Sequence, residues 1–143
     1  MFSKACEYGI RASIYIASQT QIGNRVSLVD VVKKIESPEA FTSKILQKLV
    51  KCEIIKSIKG PGGGFEMDKT QMDEIKLIKI VKAFDGDFRD RCSLGLNECS
   101  DVQPCPFHHQ YKPVKEKLLH IFSNTSISDL LKGFSDGDTF LRI

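Results

Sequence analysis

Three cysteines and a histidine lie close together in this 143-residue chain: Cys92, Cys99, Cys105 and His108, spaced C-x6-C-x5-C-x2-H. The stretch reads Cys-Ser-Leu-Gly-Leu-Asn-Glu-Cys-Ser-Asp-Val-Gln-Pro-Cys-Pro-Phe-His-His. It is polar, rich in turn-forming residues, and carries neither a helical nor a strand period. Core packing therefore does not account for three thiols there. Thiolate and imidazole donors together select iron–sulfur clusters, zinc or copper. Three Cys with one non-Cys ligand suits a labile iron–sulfur cluster, because a His or carboxylate corner shifts the potential and stays exchangeable. Zinc matches the Cys3His count, but its usual C-x2-C spacing is absent. Redox-active thiols without metal are the remaining alternative. His109 competes with His108 as the imidazole donor. Cys6 and Cys52 stand apart, and an isolated free Cys is most often a small buried hydrophobe.

The loop must be positioned by the elements around it. Tyr8, Ala12, Ile14, Tyr15 and Ile16 recur near helical spacing, which predicts a helix over 3–18. Ser27 and Asp30 form a capping box for a short second helix ending near Ile35, with Val26 and Val31 placed as a hydrophobic staple. Ser37 is the expected cap of a third helix, with Pro38 at its first position and Glu39 in its first turn. Phe41, Ile45, Leu46, Leu49 and Val50 form its inward stripe. Strands are expected over 54–59 and 65–68, joined by the Gly-Pro-Gly-Gly-Gly turn at 60–64. A helix over 76–84 ends at Asp85-Gly86-Asp87. The last long helix is expected over 113–122, opened by Pro113 and striped by Val114, Leu118, Ile121 and Phe122. Ser126 and Asp129 cap a final turn over 127–131, and the tail after Lys132 is expected to fray.

Two short helices followed by a hairpin are the winged helix-turn-helix pattern. The fold class is thus mainly α with a small β-hairpin wing and a long C-terminal dimerisation helix. Three regions follow: a winged helix-turn-helix DNA-binding domain over 1–86, a cysteine-rich metal loop over 87–110, and a dimerisation helix with a flexible tail over 111–143.

Charge points to a polyanion at the N-terminal half. Residues 1–60 hold ten Lys and Arg against five Asp and Glu, whereas the whole chain is only +3. Double-stranded DNA is the expected partner. On the third helix, Lys44, Lys48 and Lys51 are placed for phosphates, with Lys59 from the wing. Ser43 and Gln47 are the expected base readers, since Gln can bind adenine bidentately. A helix with an apolar face beyond the core pairs readily with its own copy, so a homodimer is expected.

These elements, in this order, resemble bacterial winged-helix regulators typified by the iron–sulfur cluster assembly regulator and the nitric-oxide-sensing repressor. The resemblance rests on Glu7-Tyr8-Gly9-Ile10-Arg11-Ala12, on the Ser37 to Lys51 region, on Ile58-Lys59-Gly60-Pro61-Gly62-Gly63-Gly64-Phe65, and on the cysteine loop with its trailing helix. It implies a dimer, a winged helix on DNA, and a cluster whose state alters DNA binding. The C-x2-H step puts His108 where the assembly regulator has its fourth ligand. In the nitric-oxide sensor that ligand is an acidic residue of the partner chain just before the Tyr, a place Glu7 holds here. Two-iron and four-iron clusters are both compatible with these donors. The resemblance also implies that Lys59 enters the minor groove. Ser43 stands where the assembly regulator has an acidic residue, so that regulator's choice of DNA sites does not carry over.

Other classes recede. The chain shows no nucleophile–base pair, P-loop or dinucleotide fingerprint, so it is not read as an enzyme. It lacks a membrane-spanning run and a signal-peptide core, and its cysteine count is odd, so a cytoplasmic protein with reduced thiols is expected. A metal or cluster carrier without DNA function is the alternative of a different class.

Overall fold

The computed structural model describes residues 1–89 and 91–141. Helix α1 (Lys4–Gln21) is the centre of the molecule and packs against α2 (Leu28–Ile35), α3 (Glu39–Lys51), α4 (Leu77–Asp85) and α6 (Ile127–Ser135). Its buried side contributes Cys6, Ala12, Ile16 and Ala17, all fully covered. Ser3 caps it by accepting the Cys6 N–H at 3.1 Å, and the Ser3 N–H and hydroxyl both donate to Asp85 at the end of α4. The N-terminus is thereby fastened to the segment that enters the cysteine loop.

The Ser27–Asp30 capping box forms as expected, and the staple residues Val26 and Val31 are both buried. The third helix begins one residue later than its cap signal predicts. Pro38 is its N-cap, and the Ser37 hydroxyl is buried against the Thr42 hydroxyl. A buried hydroxyl must find a partner, and here the Thr42 hydroxyl inside the helix takes precedence over the backbone cap.

The hairpin is short: β1 (Lys56–Ile58) pairs antiparallel with β2 (Gly64–Glu66), Ser57 opposite Phe65. Ile54 and Ile55, expected within the strand, are core residues ahead of it. Val26 adds a bridge to Phe65 on the other side of β2. Arg25 pins the wing base, with Nε 2.7 Å from Glu66 and a second bond to the Gly62 carbonyl at 3.2 Å. A side chain at Gly63 would place Cβ 2.2 Å from the Ile58 carbonyl oxygen, so the turn closes only around glycine. A 3-10 turn (Lys69–Gln71), capped by Asp68, leads to α4.

The last long helix, α5 (His108–Asn124), starts five residues earlier than Pro113 predicts. Pro113 lies inside it. An interior proline costs about 3 kcal/mol through its missing N–H and ring clash. The residues before it are held by side chains reaching back into the loop, which offsets that cost. Consequently His108, expected in the loop, is the first residue of a helix. The final helix is longer than expected: α6 (Ile127–Ser135) continues past Leu131, and the N–H groups of Asp138 and Thr139 both donate to the Gly133 carbonyl.

Candidate metal centre and nucleic-acid interface

The four expected metal ligands come together as two pairs. Cys92 Sγ lies 3.7 Å from Cys105 Sγ, and Cys99 Sγ lies 3.4 Å from His108 Nδ1. A tetrahedral metal with sulfur at about 2.3 Å and nitrogen at about 2.1 Å separates two sulfurs by about 3.8 Å and sulfur from nitrogen by about 3.6 Å. Each pair is therefore the right width for one metal atom. Among the described residues, no three His, Cys, Asp or Glu donors gather closely enough to hold a single ion. The residues that could hold a metal or cluster are thus Cys92 with Cys105 and Cys99 with His108, set as two separate pairs.

Local structure explains the pairing. The loop turns at Gly95, whose N–H donates to the Cys92 carbonyl at 3.0 Å. N–H groups of Leu94 and Leu96 point at the Cys92 sulfur and, with the Cys105 thiol and the Lys115 charge, hold its pKa below the usual thiol range. That favours the thiolate a metal needs. A cavity of about 250 Å³, lined by Phe2, Val81, Phe88, Tyr111 and Leu118, also touches Cys92.

Helix α5 grips the loop through one face. His108, Lys112 and Lys115 recur at i, i+4 and i+7 and so share that face. His108 is buried, with Nε2 2.8 Å from Asp101 Oδ1. Lys112 Nζ lies 2.7 Å and 2.8 Å from the two Asp101 oxygens. Its ammonium, and then His108, hold the Asp101 carboxyl below the usual carboxylate range. Lys115, only 4% exposed, donates to the Arg89 carbonyl at 2.7 Å and the Arg91 carbonyl at 3.4 Å. Sequence reading missed Asp101, Lys112 and Lys115; the helical spacing of the two lysines behind His108 was the available signal.

The other candidates sort clearly by burial. His109 is exposed beside the buried His108. Cys6 is fully buried, and burial foremost, then Asp85, pushes its thiol up to about 12, which leaves it inert. Glu7 sits on α1 with its carboxylate 2.9 Å from Lys4 Nζ.

The third helix presents Lys44, Gln47, Lys48 and Lys51 to solvent, with Ser43 half-buried at its edge. Gln47 Nε2 lies 3.4 Å from the Ser43 hydroxyl. Lys59 is exposed where the wing turn begins. Lys48 Nζ sits 5.6 Å above the Phe84 ring, and a Cβ at Gly9 would meet that same ring at 2.3 Å. Phe84 thus joins the exposed helix to α1 and to the helix that leads into the cysteine loop, a link invisible in the spacing of residues. Among the described residues, no helix is long and apolar enough to cross a membrane.

Comparison with known proteins agrees with this architecture. Residues 2–133 match the model of the Rrf2 family, described as iron-dependent transcriptional regulators. A helix-turn-helix-type transcriptional regulator of Aquifex aeolicus is 29% identical over 134 residues, 92% of this chain and 91% of that protein. The regulator IscR of Vibrio campbellii is 22% identical over 125 residues, 87% of this chain and 73% of its own. Among solved structures, the global cysteine regulator CymR of B. subtilis superposes with a TM-score of 0.75 at 16% identity, covering 92% of this chain and 96% of that one. IscR of T. potens superposes with a TM-score of 0.73 at 18% identity, covering 99% and 93%. On these matches the chain belongs to the Rrf2 family and is a DNA-binding transcriptional regulator, not an enzyme.

Proposed function

We propose that this regulator works as a homodimer whose affinity for promoter DNA is set by a two-iron cluster, with Cys92 and Cys105 on one iron and Cys99 and His108 on the other. The observation that carries the reading is the division of four donors into two metal-width pairs. Zinc is the second reading, and the usual C-x2-C spacing of its structural sites is absent here. A bound cluster supplies a centre that responds to oxidants, to nitric oxide or to iron–sulfur supply.

The protein's own residues transmit that response. Lys115 holds the backbone where the loop leaves α4, and His108 and Lys112 hold it where the loop meets α5. Donor atoms drawn together by a metal would tension the loop between those two helices. The path onward runs through Phe84 to Lys48 on the DNA-facing helix. Val114 and Ile121, 55% and 45% exposed on α5, with the half-buried Leu118, support pairing with the α5 of a second copy.

The test is anaerobic reconstitution followed by Mössbauer spectroscopy and DNA titration of holo and apo dimers at one salt concentration. Two inequivalent irons are expected, one with two thiolates and one with thiolate and imidazole. Cys92→Ala, Cys99→Ala and Cys105→Ala should each lose the cluster, whereas Cys52→Ala should keep it. Holo and apo affinities should differ by about 1–3 kcal/mol, the usual size of allosteric coupling. Equal affinities in two dimeric forms would make the metal purely structural.

A further inference from the structure

We propose that Asp101, braced by Lys112, is the positioning residue that decides which nitrogen of His108 faces the metal, so that His108 binds through Nδ1. This rests on the reading of the cysteine loop as a metal centre. The ring is held between two groups of different character. Nε2 lies 2.8 Å from Asp101 Oδ1, and Nδ1 lies 3.4 Å from Cys99 Sγ. A carboxylate only accepts hydrogen bonds, so Nε2 must carry the proton. Nδ1 is the ring nitrogen that faces Cys99, and in the neutral ring it carries the lone pair. The same lone pair is what a metal would use. With the opposite tautomer, Nδ1–H would point a proton into the metal position and Nε2 would set a lone pair against a carboxylate.

Asp101 needs bracing for this task because its side chain is 68% exposed. A free carboxylate at that exposure samples several rotamers. Here Lys112 bonds both of its oxygens, at 2.7 Å and 2.8 Å, from one helical turn beyond His108. The imidazole, the carboxylate and the ammonium therefore form one relay whose two ends are fixed to α5, with only Asp101 supplied by the loop. Outer partners of this kind orient a ligating imidazole and raise its basicity.

The experiment has two arms. In metal-free protein at mildly alkaline pH, long-range nitrogen–proton NMR of His108 should show the Nε2–H tautomer, and Asp101→Ala should shift it to a mixture. In reconstituted protein, Asp101→Ala should speed cluster loss to an iron chelator about 10–100-fold, the usual cost of removing such a partner. Asp101→Asn, which keeps an acceptor, should lie between the two. Pulsed EPR of the reduced cluster should show nitrogen coupling in the wild type that weakens in Asp101→Ala. Glu98→Gln removes a neighbouring loop charge without touching His108, and it should leave lifetime and tautomer unchanged. An Nδ1–H tautomer in the wild type, or an equal cluster lifetime in Asp101→Ala, overturns this proposal while leaving the metal reading intact. A Glu98→Gln effect as large as that of Asp101→Ala would also overturn it, since net loop charge would then be the cause. A wild-type protein that holds no cluster overturns the metal reading, and this proposal with it.

Discussion

Gly9→Ala sets two well-measured effects against each other. Replacing an interior helical glycine by alanine stabilises a helix by about 1 kcal/mol. At this position the new methyl would lie 2.3 Å from Phe84 Cε2 and 2.8 Å from Cζ, so the ring must move. Overpacking of this kind costs about 1–3 kcal/mol. The displaced ring also leaves Lys48, whose ion–ring contact contributes about 0.5–1 kcal/mol. The net expectation is a loss of about 0.5–3 kcal/mol. For 143 residues the unfolding entropy is about 300 cal/mol/K, so each kcal/mol moves Tm by about 3 °C. Thermal unfolding followed by circular dichroism should therefore show a drop of about 2–10 °C. In a Phe84→Leu background the clash is relieved, and the same substitution should raise Tm by about 3 °C. A rise of that size in the wild-type background would refute the reasoning, because the ring would then be yielding at no cost.

Other expectations follow from the two faces and the charge pattern. Lys48→Ala and Lys59→Ala should weaken binding to every DNA sequence and reduce the salt slope by about one unit each; Gln47→Ala should instead relax preference at one base pair, worth about 1–3 kcal/mol, and a uniform loss would demote it to a backbone contact. Ile121→Asp should raise the dimer dissociation constant roughly 100-fold, from about 1.5 kcal/mol of lost burial on each protomer, as read by analytical ultracentrifugation; an unchanged dimer would move the interface off α5. Lys56 foremost, then Thr70, holds Asp68 at about 2, and the Ser126 N–H, then Lys132, hold Asp129 far below the usual range. Depressed carboxylates contribute stability above the unfolded value of about 3.9 and lose it as pH falls through the folded value. Tm should thus be level down to about pH 4.5 and fall between about pH 4 and 2; a level Tm to pH 2 would show that these pairs contribute nothing.

What could be read in advance was local. The boxes at Ser27–Asp30 and Ser126–Asp129 form because every partner lies within one turn. The same logic misplaced the third helix, since the partner of the Ser37 hydroxyl is a buried Thr42 whose depth no spacing reports. Pro113 reads as a helix start, yet α5 begins at His108 because the loop holds its first turn. At the candidate site, the thiols were visible because three of them in a polar loop have no packing reason. Asp101 was invisible because an exposed aspartate in such a loop looks like any other. Only the fold brings it to the far nitrogen of His108.

The attachment of the N-terminus has a consequence for biosynthesis. Phe2 packs edge-on against Phe88 and Phe122, with ring centroids 6.5 Å and 5.3 Å away, while Ser3 is bonded to Asp85. Helix α1, synthesised before every helix it packs against, is therefore among the last to find all its neighbours. The three thiols likewise emerge before Lys115, which anchors their loop. At translation speeds of about 5–20 residues per second, the interval from Cys92 to Lys115 is roughly 1–5 s. During that interval the three cysteines lack the anchor that Lys115 gives their loop. A transcript truncated before α5 would yield a product with its aromatic anchor unmatched and three open thiols, a substrate for oxidation and for proteases.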